Sequence, residues 1–93
     1  MNIEEYEQLR AFRGLISDTV EGLRHAGGQG ALASAADLAA ERWAPVDDDF
    51  ARVLRDIRSQ AWSMPLAQIR PVVEAVIEHL EAQLAEIDLQ LGS

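Results

Sequence analysis

The sequence of 93 residues contains no cysteine and no lysine, because all eight of its basic residues are arginines. Without cysteine, the chain cannot form a disulfide, a thiolate zinc site, a thiol nucleophile or an iron–sulfur cluster. Without lysine, it lacks the lysine of a phosphate-binding loop, a Schiff-base amine and a lysine general base. These two absences exclude many classes of enzyme before any pattern is considered.

Long apolar runs are absent as well. No uninterrupted apolar segment approaches the roughly 18 residues that a membrane-spanning helix needs, so we expect no membrane partner. The first residues lack the basic and apolar regions of a signal peptide, which predicts a cytoplasmic location. Arginine without lysine, together with abundant alanine, is typical of a GC-rich bacterium or its phage.

Acidic residues are twice as frequent as basic ones, and the formal net charge is −8. Such a chain repels nucleic acid and anionic lipid surfaces, so we expect no nucleic-acid partner. The hydrophobic fraction of 48% is nevertheless too high for a disordered acidic tail. The length then predicts a single helical domain over residues 1–93.

Apolar residues recur at spacings of three and four, and no alternating strand pattern occurs. Glycine and proline divide the chain into four helical segments, two long and two short. The first covers residues 2–25. The second begins near Ser34, which is a favourable N-cap, and ends before Pro45; the third begins at the capping residue Asp47. The last covers residues 65–91, with a kink or break expected at Pro71. We predict an all-α bundle of about four helices, which a second copy could complete.

The last segment carries the most specific pattern in the chain. Six apolar residues follow one another at spacings of 4, 3, 4, 3 and 4, which is a heptad pattern. We call them the heptad stripe: Val73, Ile77, Leu80, Leu84, Ile87 and Leu91. Such a stripe is either the core face of a bundle or a surface that pairs with another chain.

The charges beside the heptad stripe restrict its partner. The flanking positions Glu74, Glu81 and Asp88 are all acidic, and no basic residue follows Arg70. A partner helix with arginine at its flanks therefore fits best. Within the chain, the third segment is a candidate, because it carries arginines at a spacing of three: Arg52, Arg55 and Arg58.

These features predict a small, acidic, non-enzymatic protein–protein interaction module that forms a homo-oligomer. The predicted association surface is the heptad stripe together with Leu9, Phe12 and Ile16 of the first segment. Trp43 and Trp62 are expected to anchor the core or an interface, as large aromatic residues commonly do.

Two other functions remain open. The carboxylates of the last segment would form an acidic face that binds a basic target protein, as an inhibitor, an antitoxin or a nucleic-acid mimic does. This face consists of Glu74, Glu78, Glu81, Glu86 and Asp88. Alternatively, residues 35–60 have the proportions of a DNA-binding helix-turn-helix, in which Arg52, Arg55 and Arg58 of the second helix would contact DNA. Three aspartates, however, occupy the start of that second helix.

No residues point to catalysis or to a cofactor. His25 and His79 are the only histidines, and neither belongs to a metal-binding spacing. The acidic run at residues 47–49 lacks the alternating ligands of a calcium loop, and helix capping explains it better. We therefore predict no catalytic residue, no metal site and no cofactor.

Overall fold

In the computed structural model, residues 1–92 are described, and they form four α-helices without a strand. The helices are α1 (Ile3–Arg24), α2 (Gln29–Trp43), α3 (Asp48–Ser63) and α4 (Leu66–Gly92). They contain 22, 15, 16 and 27 residues, so two are long and two are short. The predicted all-α bundle of four helices is thereby confirmed.

Polar side chains fix the first residues of two helices. Asn2 Oδ1 accepts a hydrogen bond from Glu5 N at 2.8 Å, and Asp47 Oδ1 accepts one from Phe50 N at 3.1 Å. Each bond satisfies a backbone donor that the first helical turn leaves without a partner. The predicted capping role of Asp47 is confirmed.

The prediction that α2 begins near Ser34 is wrong. The helix begins at Gln29, and its first turn is closed by a hydrogen bond from Leu32 N to Gly28 O at 2.9 Å. No side chain caps this end. Instead, Gln29 Nε2 donates to Met64 O at 2.8 Å, which fastens the start of α2 to the end of α3. This contact joins residues 35 positions apart, so the local pattern around Ser34 gives no sign of it.

No break occurs at Pro71, because α4 continues through this residue to Gly92. Proline lacks the backbone N–H that would bond to the carbonyl of Ala67. Only one helical hydrogen bond is lost in this way, and it lies near the beginning of a helix of 27 residues. The remaining bonds and the packing of α4 hold the helix together.

Each helix runs antiparallel to the next one along the chain, and α4 returns to lie beside α1. The α2–α3 and α1–α4 pairs make the most extensive contacts, whereas α3 and α4 approach each other over a short stretch. The molecule is elongated, with extents of 46 × 22 × 18 Å. The result is an up-down-up-down bundle with four interfaces between neighbouring helices, which we call seams. The seam between α3 and α4 is incompletely closed.

Trp43, at the end of α2, joins three helices inside the core. Its side chain is buried, and Nε1 donates to Thr19 Oγ1 of α1 at 2.9 Å. The Thr19 hydroxyl in turn donates to Leu15 O at 2.8 Å. The indole also makes edge contacts with Phe12 of α1 and Phe50 of α3, at centroid distances of 5.5 and 4.5 Å. The core-anchor role expected for Trp43 is confirmed; Trp62, by contrast, is 68% exposed.

We expect Thr19→Val to lower the free energy of unfolding by about 1–3 kcal/mol, because it leaves the buried indole N–H of Trp43 without an acceptor. Urea denaturation followed by circular dichroism measures this change. Thr19→Ser is the matched control, because it retains the hydroxyl. Equal stability of the two variants would contradict a structural role for this hydrogen bond.

Candidate protein-interaction site

The heptad stripe of α4 lies inside the chain's own bundle. Ile77 and Leu80 are fully buried, and the other four members are buried or half-buried in the same core. From α1, Ile16 is fully buried, and Leu9 and Phe12 are packed against that core. These side chains are therefore covered by neighbouring helices while α4 remains packed on α1.

Arginines from α1, not α3, meet the acidic residues beside the heptad stripe. Arg13 Nε and Nη2 donate to the two carboxylate oxygens of Asp88. Arg24 Nη2 donates to Glu81 Oε1 at 2.8 Å. An arginine-bearing helix thus lies beside the heptad stripe within the chain, but it is α1, and the prediction of the third segment is wrong.

The arginines of α3 form other ion pairs. Arg58 Nη1 lies 2.7 Å from Asp37 Oδ1 of α2. Arg52 and Arg55 lie 3.5 and 3.8 Å from oxygens of Asp48 in their own helix. Each guanidinium that would contact DNA phosphates thus already lies near a carboxylate of the same chain.

The arrangement of α2 and α3 also differs from a helix-turn-helix, whose helices meet at about 90–120°. Trp43 contacts Phe50 at one end of the pair, and Trp62 lies close to Gly30 at the other. The two helices therefore lie side by side over their full length as an antiparallel hairpin. This geometry does not favour the helix-turn-helix alternative.

The five carboxylates predicted as an acidic face do not share one environment. Glu81 and Asp88 are paired with α1, whereas Glu74, Glu78 and Glu86 form no ion pair among residues 1–92. At 100° per residue, Glu86 also lies on a different side of α4 from the other four. The acidic surface of α4 is therefore divided by the packing of α1.

An open apolar groove lies between α3 and α4. Its volume is about 610 Å³. We call it the α3–α4 groove, and seven residues line it: Phe50, Val53, Pro71, Val72, Ala75, Val76 and His79. His79 is the only titratable residue among them, so the surface offers apolar contact and few hydrogen bonds.

The groove opens because α3 and α4 diverge from the turn that joins them. Near this turn, Ile57 and Ile69 are 1% and 0% exposed. Further from it, Val53 and Val72 are 40% and 41% exposed. Phe50 forms part of the wall at the open end and is held there by its contact with Trp43. Beyond the turn, the residues that face the bundle core remain buried, whereas Val53 and Val72 on the groove side are in contact with solvent.

Negative charge borders this groove on the α3 side. Asp49 and Asp56 lie on the same side of α3 as the lining residue Val53, because the spacings between them are four and three. On α4, Glu86 lies seven residues beyond the lining residue His79, which is about two helical turns and places it on the same side of the helix. Asp49 and Asp56 are both exposed. No arginine is among the residues that line the groove.

Interhelical ion pairs are distributed unequally over the four seams. Arg42 Nη1 lies 3.0 Å from Asp18 Oδ2 across α1 and α2, and Arg58 meets Asp37 across α2 and α3. Two further pairs connect α1 with α4. Within residues 1–92, no ion pair connects α3 with α4. The seam that lacks an ion pair is the one that carries the open groove.

The sequence pattern does not predict the α3–α4 groove. Val72 and Val76 broaden the apolar surface of the last segment beyond the heptad stripe, and this breadth is the only sign of a second contact face. The heptad register places His79 at an outward position, and His79 is exposed, where it lines the open groove. Exposure of these residues depends on the distance between two helices, which periodicity does not specify.

Other features of the described chain give no further site. Among residues 1–92, no three histidine, aspartate or glutamate side chains are placed to hold a metal ion. None of the helices in this part of the chain combines the length and apolar character needed to cross a membrane. No family model, curated protein sequence or solved structure matches the chain significantly.

The Arg13–Asp88 ion pair between α1 and α4 predicts how the stability of the fold changes in acid. Hydrogen bonding from Arg13, supplemented by its positive charge, holds the pKa of the Asp88 carboxyl below its usual range. The contribution of the Arg13–Asp88 pair to the stability of the fold is therefore complete at pH values above the pKa that Asp88 has in the unfolded chain. It is lost as the pH falls through the lower pKa of the folded chain. The stability difference between the parent chain and Asp88→Asn should accordingly shrink in acid.

Urea denaturation at low ionic strength, at pH values from about 7 to about 2, measures this difference. Glu86→Gln serves as the control, because Glu86 has no ion pair within residues 1–92. A difference for Asp88→Asn that does not change with pH would contradict the assigned pair.

Proposed function

We propose that the chain is a non-enzymatic protein-interaction module that binds an amphipathic helix of another protein in the α3–α4 groove. The observation that carries this proposal is the open apolar seam between α3 and α4. A helix placed there would cover side chains that the chain's own packing leaves in contact with water. Recognition of an amphipathic helix in an apolar groove is a recurrent mode of protein binding.

The dimensions of the groove suit a short helical segment. Its α4 wall extends from Pro71 to His79, which corresponds to about 12 Å at 1.5 Å per residue. Anchor residues at positions i, i+3 or i+4, and i+7 of a partner helix span about 10.5 Å. Three apolar anchors on two turns of helix therefore match the wall in length.

A small-molecule ligand is less well supported. Sites for such ligands enclose most of the ligand surface and contain several polar groups that fix its orientation. The α3–α4 groove is open along its length, and His79 is the only lining side chain with a hydrogen-bonding group. An elongated apolar contact supports a helix as the ligand instead.

A second copy of the chain is also disfavoured as the occupant. Two copies joined through this groove would bring Asp49 and Asp56 close to the same carboxylates of the other copy, and like charges repel. Pairing through the heptad stripe would require α4 to separate from α1, exposing Leu80 and its buried neighbours. A different protein is therefore the better-supported partner, and self-association becomes an outcome of the test.

The proposal is tested with a fluorescent amphipathic peptide of about 14 residues, long enough for three to four helical turns. It carries leucines at the three anchor positions and glutamine and alanine elsewhere. Fluorescence anisotropy should detect binding to the parent chain. Val72→Asp should weaken this binding more than about tenfold, because a carboxylate replaces an apolar contact in the groove.

Leu38→Asp is the matched control, because Leu38 is 64% exposed on α2 and does not line the α3–α4 groove. Circular dichroism verifies that both variants are folded. Absence of peptide binding, or equal binding by all three proteins, would contradict the proposal. Light scattering supplies a further check: a dimer that Val72→Asp dissociates would assign the groove to a second copy instead.

A further inference from the structure

We infer that the helix bound in the α3–α4 groove carries two arginine or lysine residues about seven positions apart, beside its apolar anchors. This inference rests on the proposed function and specifies the partner's chemistry. It follows from three features: the carboxylates that border the groove, the spacing between them, and the absence of a cation across this seam.

Asp49 and Asp56 set the spacing. They are seven residues apart on α3, so their Cα atoms are separated by about 10.5 Å along the helix axis. Val53 lies between them on the same side of α3 and lines the groove. A partner helix that runs alongside α3 thus meets a carboxylate, an apolar side chain and a second carboxylate in succession.

Both carboxylates remain available to a partner. Asp56 forms no ion pair within residues 1–92, and Asp49 has one long contact, 3.8 Å from Arg52 Nη1. The Asp49 side chain is 93% exposed and that of Arg52 is 69% exposed, so water screens this contact strongly. Asp49 therefore retains most of its capacity to attract another cation.

The other three seams of the bundle each contain an ion pair, which the α3–α4 seam lacks among residues 1–92. Each of the remaining three helix pairs has an arginine on one helix beside a carboxylate on the other. Across the α3–α4 seam, the carboxylates are present on α3, but among the described residues no arginine of α4 is paired with them. A basic partner helix would supply this cation, and charge complementarity of this kind increases specificity and the rate of association.

The experiment compares two peptides of about 14 residues with the same three leucine anchors. One carries arginine at two flanking positions seven residues apart, and the other carries glutamine at those positions. We expect the arginine peptide to bind the parent chain about 2- to 30-fold more tightly, as two exposed ion pairs allow. The advantage should disappear near 1 M salt, where the Debye length is about 3 Å.

The matched variants separate a local effect from overall charge. Asp49→Asn combined with Asp56→Asn should remove the preference for arginine while the glutamine peptide still binds. Glu74→Gln combined with Glu78→Gln also removes two negative charges, but from α4 instead of α3. This double variant should preserve the preference for the arginine peptide. Equal loss in the two double variants would overturn the inference, because the attraction would then come from net charge alone.

Each result also distinguishes this inference from the proposed function. Equal binding of the two peptides to the parent chain would overturn the basic-partner inference while leaving helix binding intact. Failure of both peptides to bind would contradict the proposed function itself. Binding of the arginine peptide that Val72→Asp does not weaken would place the contact outside the groove and overturn both.

Discussion

The buried indole of Trp43 is the constraint on which the rest of the bundle depends. Its N–H group must find an acceptor because it is removed from water, and Thr19 of α1 is that acceptor. Its edge contacts with Phe12 of α1 and Phe50 of α3 then determine where these two rings pack. One side chain thereby fixes the relative positions of three helices. Since Phe50 also lines the α3–α4 groove, the interior contact and the exposed surface are parts of one arrangement.

Much of the fold follows from local rules that operate on short segments. The helix starts at Asn2 and Asp47 are predictable because a side-chain oxygen satisfies a nearby backbone donor. The heptad stripe of α4 predicts a buried face because its spacing places all six residues on one side. The acidic residues beside that face also predict arginines opposite them. The identity of the helix that supplies these arginines depends on topology, which local spacing leaves open.

The features that the sequence pattern does not predict all depend on contacts or distances between different helices. Gln29, the first residue of α2, donates to the carbonyl of Met64, which is 35 residues along the chain. Helix α4 continues through Pro71 because packing over a long helix outweighs one missing hydrogen bond. The α3–α4 groove exists because two helices diverge from a short turn, although the apolar residues on each helix look like ordinary core residues. Burial of such residues is a property of the assembled bundle.

The unequal distribution of ion pairs has a mechanical consequence. Helix α4 is fastened to α1 by two ion pairs, and α3 is fastened to α2 by the Arg58–Asp37 pair and the aromatic contact at Trp43. The bundle thus contains two antiparallel units, α1–α4 and α2–α3, which are joined across α1 and α2 by the Arg42–Asp18 ion pair and the Trp43–Thr19 hydrogen bond. Any widening or narrowing of the seam between α3 and α4 displaces one unit relative to the other. The turn at Met64 and Pro65 is the covalent connection between α3 and α4, so it limits how far the two helices can separate at that end of the seam.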